Sequence, residues 1–320
     1  MLAARSTRAH SLHATDRPPM PTPAITRRKA VAALAIGAAG AAAARGIASR
    51  RPVAGANGHA SGWYALLSDP HIAADPAERL RGECMADNLR DAVADILHAH
   101  EPPRGVVLGG DLAFKTGTPG DYVRLISLIN PLMRLKMPLH VATGNHDDRD
   151  HLRDAVPDGD DRGGEKRVST IEGPVVRFVI LDSQDGLNVT AGRLGAAQIE
   201  WLARDLDAHP QVPAVIVVHH NPDVGVRSGL RDADSLLATL RPRRQVKAIV
   251  FGHTHRWDVR MFGDIHAINL PSTAYLASAK QPLGWVVLRP EADGAEVELR
   301  SIGGDRSRDL ERIWLRWRAS

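Results

Sequence analysis

The chain has 320 residues, of which 43% are apolar and 24% charged, a balance that belongs to a globular protein and excludes disorder as the default reading. That length allows one large domain or two small ones. The formal net charge is +4, but Arg5, Arg8, Arg17, Arg27, Arg28 and Lys29 stand against Asp16 alone within residues 1–44. The rest of the chain is close to neutral, so electrostatic steering toward nucleic acid loses its main support, and no specific nucleic-acid partner is expected.

Residues 30–44 consist almost only of Ala, Val, Leu, Ile and Gly, preceded by Arg27-Arg28-Lys29 and ending in small residues around Ala42-Ala43-Ala44. The stretch is short for a membrane span, which needs about twenty apolar residues. It suits the apolar region of an export signal over residues 1–44. Thr26-Arg27-Arg28 resembles the start of a twin-arginine signal, although Ala30 stands where a bulky apolar residue is commoner. The alternatives are a buried Ala-rich helix or a retained anchor. Met20 would give a more compact basic start than Met1, and residues 45–61 read as a linker. The expected location is the periplasm or the exterior, with the export machinery as a transient partner. Cys84 is the single cysteine, so no intrachain disulfide forms and any metal must be held by nitrogen and oxygen.

From Gly62 onward short apolar runs alternate with amphipathic stretches, and residues 62–320 read as one domain. Residues 63–67, 106–108, 139–142, 175–181, 214–218 and 247–251 have the length and composition of buried strands. Between them, 85–100, 122–135, 196–208 and 234–240 show helical spacing, with Pro131 placed to kink the second. After Phe251 the pattern turns to strands over 257–261, 265–270, 284–288 and 295–302. Alternating β and α units followed by consecutive strands predict an α/β fold of two packed sheets flanked by helices. The charged segment 158–167 reads as a solvated loop. In 306–318, Leu310, Ile313, Trp314 and Trp317 fall on one helical face. A terminal helix covering the domain's own sheet is the reading preferred over a membrane-surface helix.

Metal-binding residue types follow the apolar strands at once: Ser68-Asp69-Pro70-His71, Gly109-Gly110-Asp111, Thr143-Gly144-Asn145-His146-Asp147, His219-His220-Asn221 and Gly252-His253-Thr254-His255. Open α/β sheets place their binding crevice outside the carboxyl ends of the strands, so these five segments should converge. Taken singly, each could be a cap, a turn or a core histidine; their recurrence in register points to a site. His98, His100, His140, His151, His209 and His266 lack that placement.

These blocks (D-x-H, G-D, G-N-H-D, H and G-H-x-H, in that order from Asp69 to His255) resemble the calcineurin-like metallophosphoesterase superfamily. The resemblance implies a four-layer sandwich of two mixed β-sheets flanked by helices. It implies two transition-metal ions (Mn, Fe or Zn), one bound by Asp69, His71 and His255, the other by Asn145, His219 and His253, with Asp111 bridging. Metal-activated hydroxide would attack a small phosphate ester, His146 would assist the leaving group, and Asp147 would orient the His146 imidazole. Asn145-His146-Asp147-Asp148-Arg149 resembles the phosphodiesterase branch, in which Arg149 would meet a substrate phosphate; a salt bridge at a helix start is its structural alternative. A phosphomonoesterase or nuclease of the same fold, and a metal-holding protein without catalysis, remain the competing functions.

Overall fold

A computed structural model describes residues 62–157, 160–163 and 166–319. The expected export signal, the Met20 start and the linker lie outside the described residues. The described residues begin with β1 (Tyr64–Leu67), a small hairpin of β2 (Arg79–Leu80) and β3 (Glu83–Cys84), helix α1 (Met85–Leu97) and β4 (Gly105–Leu108). Helix α2 (Pro119–Arg134), β5 (Leu139–Val141), helix α3 (Arg149–Ala155), β6 (Asp160–Gly163), β7 (Lys166–Glu172) and β8 (Arg177–Ile180) follow. Then come α4 (Ala196–Ala208), β9 (Ala214–Val217), α5 (Ala233–Leu240), β10 (Val246–Phe251), β11 (Asp258–Phe262) and β12 (Ile265–Asn269). Strands β13 (Pro282–Glu291), β14 (Gly294–Gly304) and β15 (Arg312–Arg316) close the domain.

Two mixed sheets result, ordered β15-β14-β13-β1-β4-β5 and β11-β12-β10-β9-β8-β7-β6. Strands β1, β4 and β5 are parallel, as are β8, β9, β10 and β12, so the loops that carry the ligand motifs leave the carboxyl ends of parallel strands. Strand alternation builds the layers. Tyr64 and Leu66 of β1 join Phe178, Val215, Val250 and Val286 in a core between the sheets. Ala65 and Leu67 of the same strand point the other way, onto Leu89 and Val93 of α1 and Leu125 and Ile129 of α2. Val179, Ile216 and Ile249 likewise face Leu202 and Leu206 of α4 and Leu236 and Leu240 of α5. Three apolar layers between helices, sheet, sheet and helices make the expected four-layer sandwich.

Three local expectations are corrected. The tail is a strand: β15 pairs antiparallel with β14, Glu298 opposite Arg312. Ile313, Leu315 and Trp317 face the inter-sheet core with period two, and Trp314 is left exposed. The helical spacing was a coincidence of four large residues, overruled by an open sheet edge and the Arg312–Glu298 ion pair at 2.8 Å. Residues 158–167 are a hairpin of β6 and β7 where they are described, because β7 pairs along β8 and extends the second sheet. Pro131 sits inside α2 without interrupting it. That helix starts earlier than its apolar pattern, at Pro119, because the Thr118 amide donates to the Asp121 carboxylate at 2.8 Å and Pro at the first helical position needs no partner.

Candidate metal centre

The chain reaches its motif residues through unusual backbone. Asp69, His71, Asp111, His253 and His255 have φ of 54°, 45°, 51°, 65° and 52°. Left-handed conformations cost non-glycine residues on the order of 1–3 kcal/mol and persist only where the surroundings impose them. Here neighbouring loops impose them. The amides of Asp69, His71 and Ile72 donate to the carbonyls of Gly110 (3.1 Å), Asp111 (3.0 Å) and Leu112 (2.9 Å), which zips the loop after β1 to the loop after β4. Glycine allows the closest approaches. A Cβ on Gly144 would collide with the Asp111 amide nitrogen and carboxylate, and one on Gly252 with the side chains of Ser68 and Asp69.

The side chains then meet. His71 Nε2 and His255 Nε2 are 3.2 Å apart, and His255 Nε2 lies 3.3 Å from Asp69 Oδ1. Asp111 Oδ2 stands 3.8 Å from His71 Nε2 and 3.3 Å from His219 Nε2, so one carboxylate oxygen faces imidazoles from both sheets. Donor atoms of Asp69, His71 and His255 form one compact group and those of His219, His220 and His253 another, with Asp69, Asp111 and His219 linking them. Asp69, His71, Asp111, Asn145 and His219 are buried. His219 Nε2, His220 Nε2 and Asn145 Oδ1 are buried without a hydrogen-bond partner. Polar atoms left so cost about 1–3 kcal/mol each unless something coordinates them. Carbonyls orient two rings from outside: His219 Nδ1 donates to Gly109 at 2.8 Å and His255 Nδ1 to Tyr275 at 3.2 Å, which turns each Nε2 inward toward a carboxylate, where a cation would displace its proton.

The electrostatics agree with a cation site. Burial would raise the Asp69 and Asp111 carboxyls, but the facing histidines outweigh it and hold both below the usual carboxylate range. Burial opposes the protonation of His219, yet Asp111 and Asp69 lift it to about 9. His71, its pKa pushed down to about 3 by burial, and His253, pushed down to about 4, are neutral ligands in waiting. Paired buried carboxylates, neutral imidazoles and orphaned donor atoms are what a metal ion completes.

The residues behind the expected catalytic histidine are arranged otherwise than the sequence suggested. His146 is part-exposed beside the cluster. Its amide donates to Asp111 Oδ1 at 2.9 Å, its ring lies edge-on to His71 with centroids 5.2 Å apart, and its Nδ1 donates to the Lys115 carbonyl at 2.6 Å. Asp147 does not orient that imidazole. It is fully buried and accepts the amides of Leu112 and Ala113 (both 3.0 Å) and Gly144 (2.9 Å) and the Tyr122 hydroxyl (3.2 Å). It thus ties the loop after β4 to the loop after β5, and Lys115 takes the orienting role. Burial first and Asp111 second push its pKa up to about 6, despite those donors.

Arg149 is likewise occupied. Its guanidinium donates to Asp182 Oδ2 at 2.6 Å and Oδ1 at 3.2 Å and to the Gln184 carbonyl at 2.7 Å, so the ion pair at a helix start replaces the expected phosphate contact. Among the described residues, the six other histidines stay outside the cluster; His98, His151, His209 and His266, for example, bond to the carbonyls of Ala94, Gly117, Asp205 and Arg316.

Residues 63–257 match the sequence profile of the calcineurin-like phosphoesterases. The chain belongs to that family. A probable cyclic nucleotide phosphodiesterase of Synechococcus sp. is 30% identical over 237 residues, 72% of this chain and 88% of its own length. A cAMP/cGMP dual specificity phosphodiesterase of Mycobacterium tuberculosis is 31% identical over 245 residues, 73% of this chain and 75% of its own. Among solved structures, a dimetal phosphatase from Danio rerio shares the fold with a TM-score of 0.64 at 17% identity, covering 81% of this chain and 99% of that one. The protein is therefore a metal-dependent phosphoric ester hydrolase, with a cluster of His and Asp donors able to hold metal.

Sequence reasoning passed over part of this phosphoesterase's site. Asp182-Ser183-Gln184 follows β8 as the other motifs follow their strands: Asp182 anchors Arg149, Ser183 Oγ lies 2.7 Å from His220 Nδ1, and the Gln184 amide donates to the Gly144 carbonyl at 2.8 Å. A polar triplet directly after an apolar run was the available signal. The supporting carbonyls of Gly109, Lys115 and Tyr275 leave no trace in residue type.

Proposed function

We propose that this phosphoesterase cleaves small phosphodiesters, with 3′,5′-cyclic nucleotides as the foremost class, at a centre of two transition-metal ions. Asp69, His71 and His255 serve one ion, Asn145, His219 and His253 the other, and Asp111 both. The observation that carries the reading is Asp111 Oδ2 between His71 Nε2 and His219 Nε2, with donors grouped on either side of it. The similarity to two proteins named as cyclic-nucleotide phosphodiesterases supports the substrate class. Oxygen and imidazole donors without sulfur suit Mn, Fe or Zn.

When bound, such ions polarise phosphoryl oxygens and bring the pKa of a water toward neutrality. The chain's own residues set the rest. Gly109 and Tyr275 hold two imidazoles in the tautomer that binds through Nε2. The Lys115 carbonyl accepts the Nδ1–H of His146, which turns Nε2 toward the departing alkoxide; with a proton on each ring nitrogen, His146 gives the Nε2 proton to that oxygen and is left neutral.

Specificity constants for 3′,5′-cAMP, a nitrophenyl diester and the matched nitrophenyl monoester, at equal metal loading, test the reading. A diester preference of tenfold or more is expected. A monoester preference, or faster cleavage of long DNA than of small diesters, would overturn it. Export through the leader at residues 1–44 belongs to the same proposal and rests on the Arg27-Arg28-Lys29 start and the apolar run behind it.

A further inference from the structure

One cavity of about 710 Å³ reaches the metal-ligand cluster, with His253 and Thr254 in its wall. That volume suits a small organic ligand. Its wall comes from the loop between β8 and α4, the turns after β9 and β10, the start of β11, the end of β12 and the segment before β13, and of the five motif blocks only Asn221, His253 and Thr254 take part in it.

The lining is rich in neutral hydrogen-bonding side chains, among them Thr190, Asn221, Ser228, Thr254, Asn269 and Gln281. Its charges are mostly spent on each other. Arg260 donates to Asp223 at 2.6 Å and to Asp258 at 2.8 Å, and its guanidinium lies over the rings of Phe251 and Phe262. Thr254 and Asn269 are hydrogen-bonded to one another. Arg256, one residue beyond His255, is exposed, lines the same cavity and has no ion pair among the described residues. It is the charged side chain of this wall, His253 aside, that is still available to a ligand. Val226, 43% exposed, also lines the cavity.

A cavity with balanced fixed charge disfavours a highly charged occupant. Hydroxyl and amide walls demand an occupant that can hydrogen-bond, because apolar groups would leave them unpaired. A guanidinium offers a planar fork of donors and a face for stacking on a flat ring. We propose that this cavity is the specificity subsite for the organic part of the phosphodiester, that it takes a neutral, hydrogen-bonding, planar ring system of the nucleoside kind, and that Arg256 holds that ring. The inference rests on the diesterase reading and adds where the substrate's identity is decided.

The test uses metal-loaded full-length protein and two variants: Arg256→Ala, and Val226→Trp to fill part of the cavity. KM and kcat are measured for 3′,5′-cAMP and for methyl p-nitrophenyl phosphate, whose organic groups are small, and 5′-AMP binding is followed by calorimetry. Each variant should raise KM for 3′,5′-cAMP at least tenfold more than for the small diester, with kcat changed less than KM, and should weaken 5′-AMP by about the same factor. Equal shifts for the two substrates, or 5′-AMP affinity unchanged in both variants, would overturn the subsite. Failure of the diesterase reading shows separately, in the wild type, as no turnover of either diester. In that case the 5′-AMP titration decides the subsite by itself, and an absence of wild-type binding sinks it.

Discussion

Asp111 concentrates the argument at the scale of single residues. Its Oδ2 faces His71 and His219 while its Oδ1 accepts the His146 amide. A ligand shared between two groups should fail in both at once. Asp111→Ala is expected to lose metal from both sites, read by elemental analysis of the purified protein, with activity falling in parallel; a variant that kept two equivalents and full turnover would refute the bridging role. His146 predicts the opposite separation. His146→Ala should keep its metal, because Asp69, His71, His255 and Asp111 remain as donors around the same point. Turnover should drop by about 10²–10⁴-fold, the usual worth of general acid catalysis. The drop should be largest for alkoxide leaving groups and small for nitrophenolate, which leaves without a proton. Equal losses on the two would assign His146 a different task.

Arg149 is a matter of elements. It opens α3 and reaches across to Asp182 and Gln184 in the loop after β8, so it joins a helix to a strand end. Asp182 is fully buried and, besides Arg149, is hydrogen-bonded by the amides of Gln184 (2.9 Å) and Arg167 (3.4 Å). Removing one partner of a buried pair typically costs about 3–5 kcal/mol; since Arg149 is 26% exposed, roughly half of that is the better expectation. Arg149→Ala should therefore lower the midpoint of thermal or denaturant unfolding clearly while leaving KM for small diesters within about twofold. A large KM effect without destabilisation would return Arg149 to the substrate. The same join explains why Asp147 stands where a catalytic partner was expected. It closes the loops after β4 and β5 on each other, and the ligands Asp111 and Asn145 are carried on those loops.

For the whole molecule, the described domain brings a cluster of His and Asp donors together from both sheets, whereas the proposed export rests on residues outside it. Among the described residues, no helix is long and apolar enough to cross a membrane. If the twin-arginine route is used, Arg27-Arg28→Lys-Lys should trap precursor in the cytoplasm, and mass spectrometry of the exported wild type should find a new N-terminus near Ala44. Normal processing of the double variant would indicate the general secretory route, and an uncleaved leader would leave the chain anchored.

The sequence by itself determined strands β1, β4, β5 and β8 to β14, helices α1, α2, α4 and α5 and the five strand-end motifs, because these are written in local periodicity and in residue types placed next to one another. Strand β9 and helix α4, for instance, lie where 214–218 and 196–208 were read. What only the tertiary structure decided are choices between partners far apart in the chain. The tail from Leu310 to Trp317 carries spacings that suit both helix and strand, and the open edge of β14 chose the strand. Asp147 and Arg149 carry charges that could have served His146 and a phosphate; Leu112, Ala113, Gly144 and Asp182 lie closer and took them. The left-handed backbone at Asp69, His71, Asp111, His253 and His255 is likewise held from outside each segment, as where the amides of Asp69 and His71 bond to the carbonyls of Gly110 and Asp111. Local energetics can propose ligands; packing of the two sheets brings them to one point.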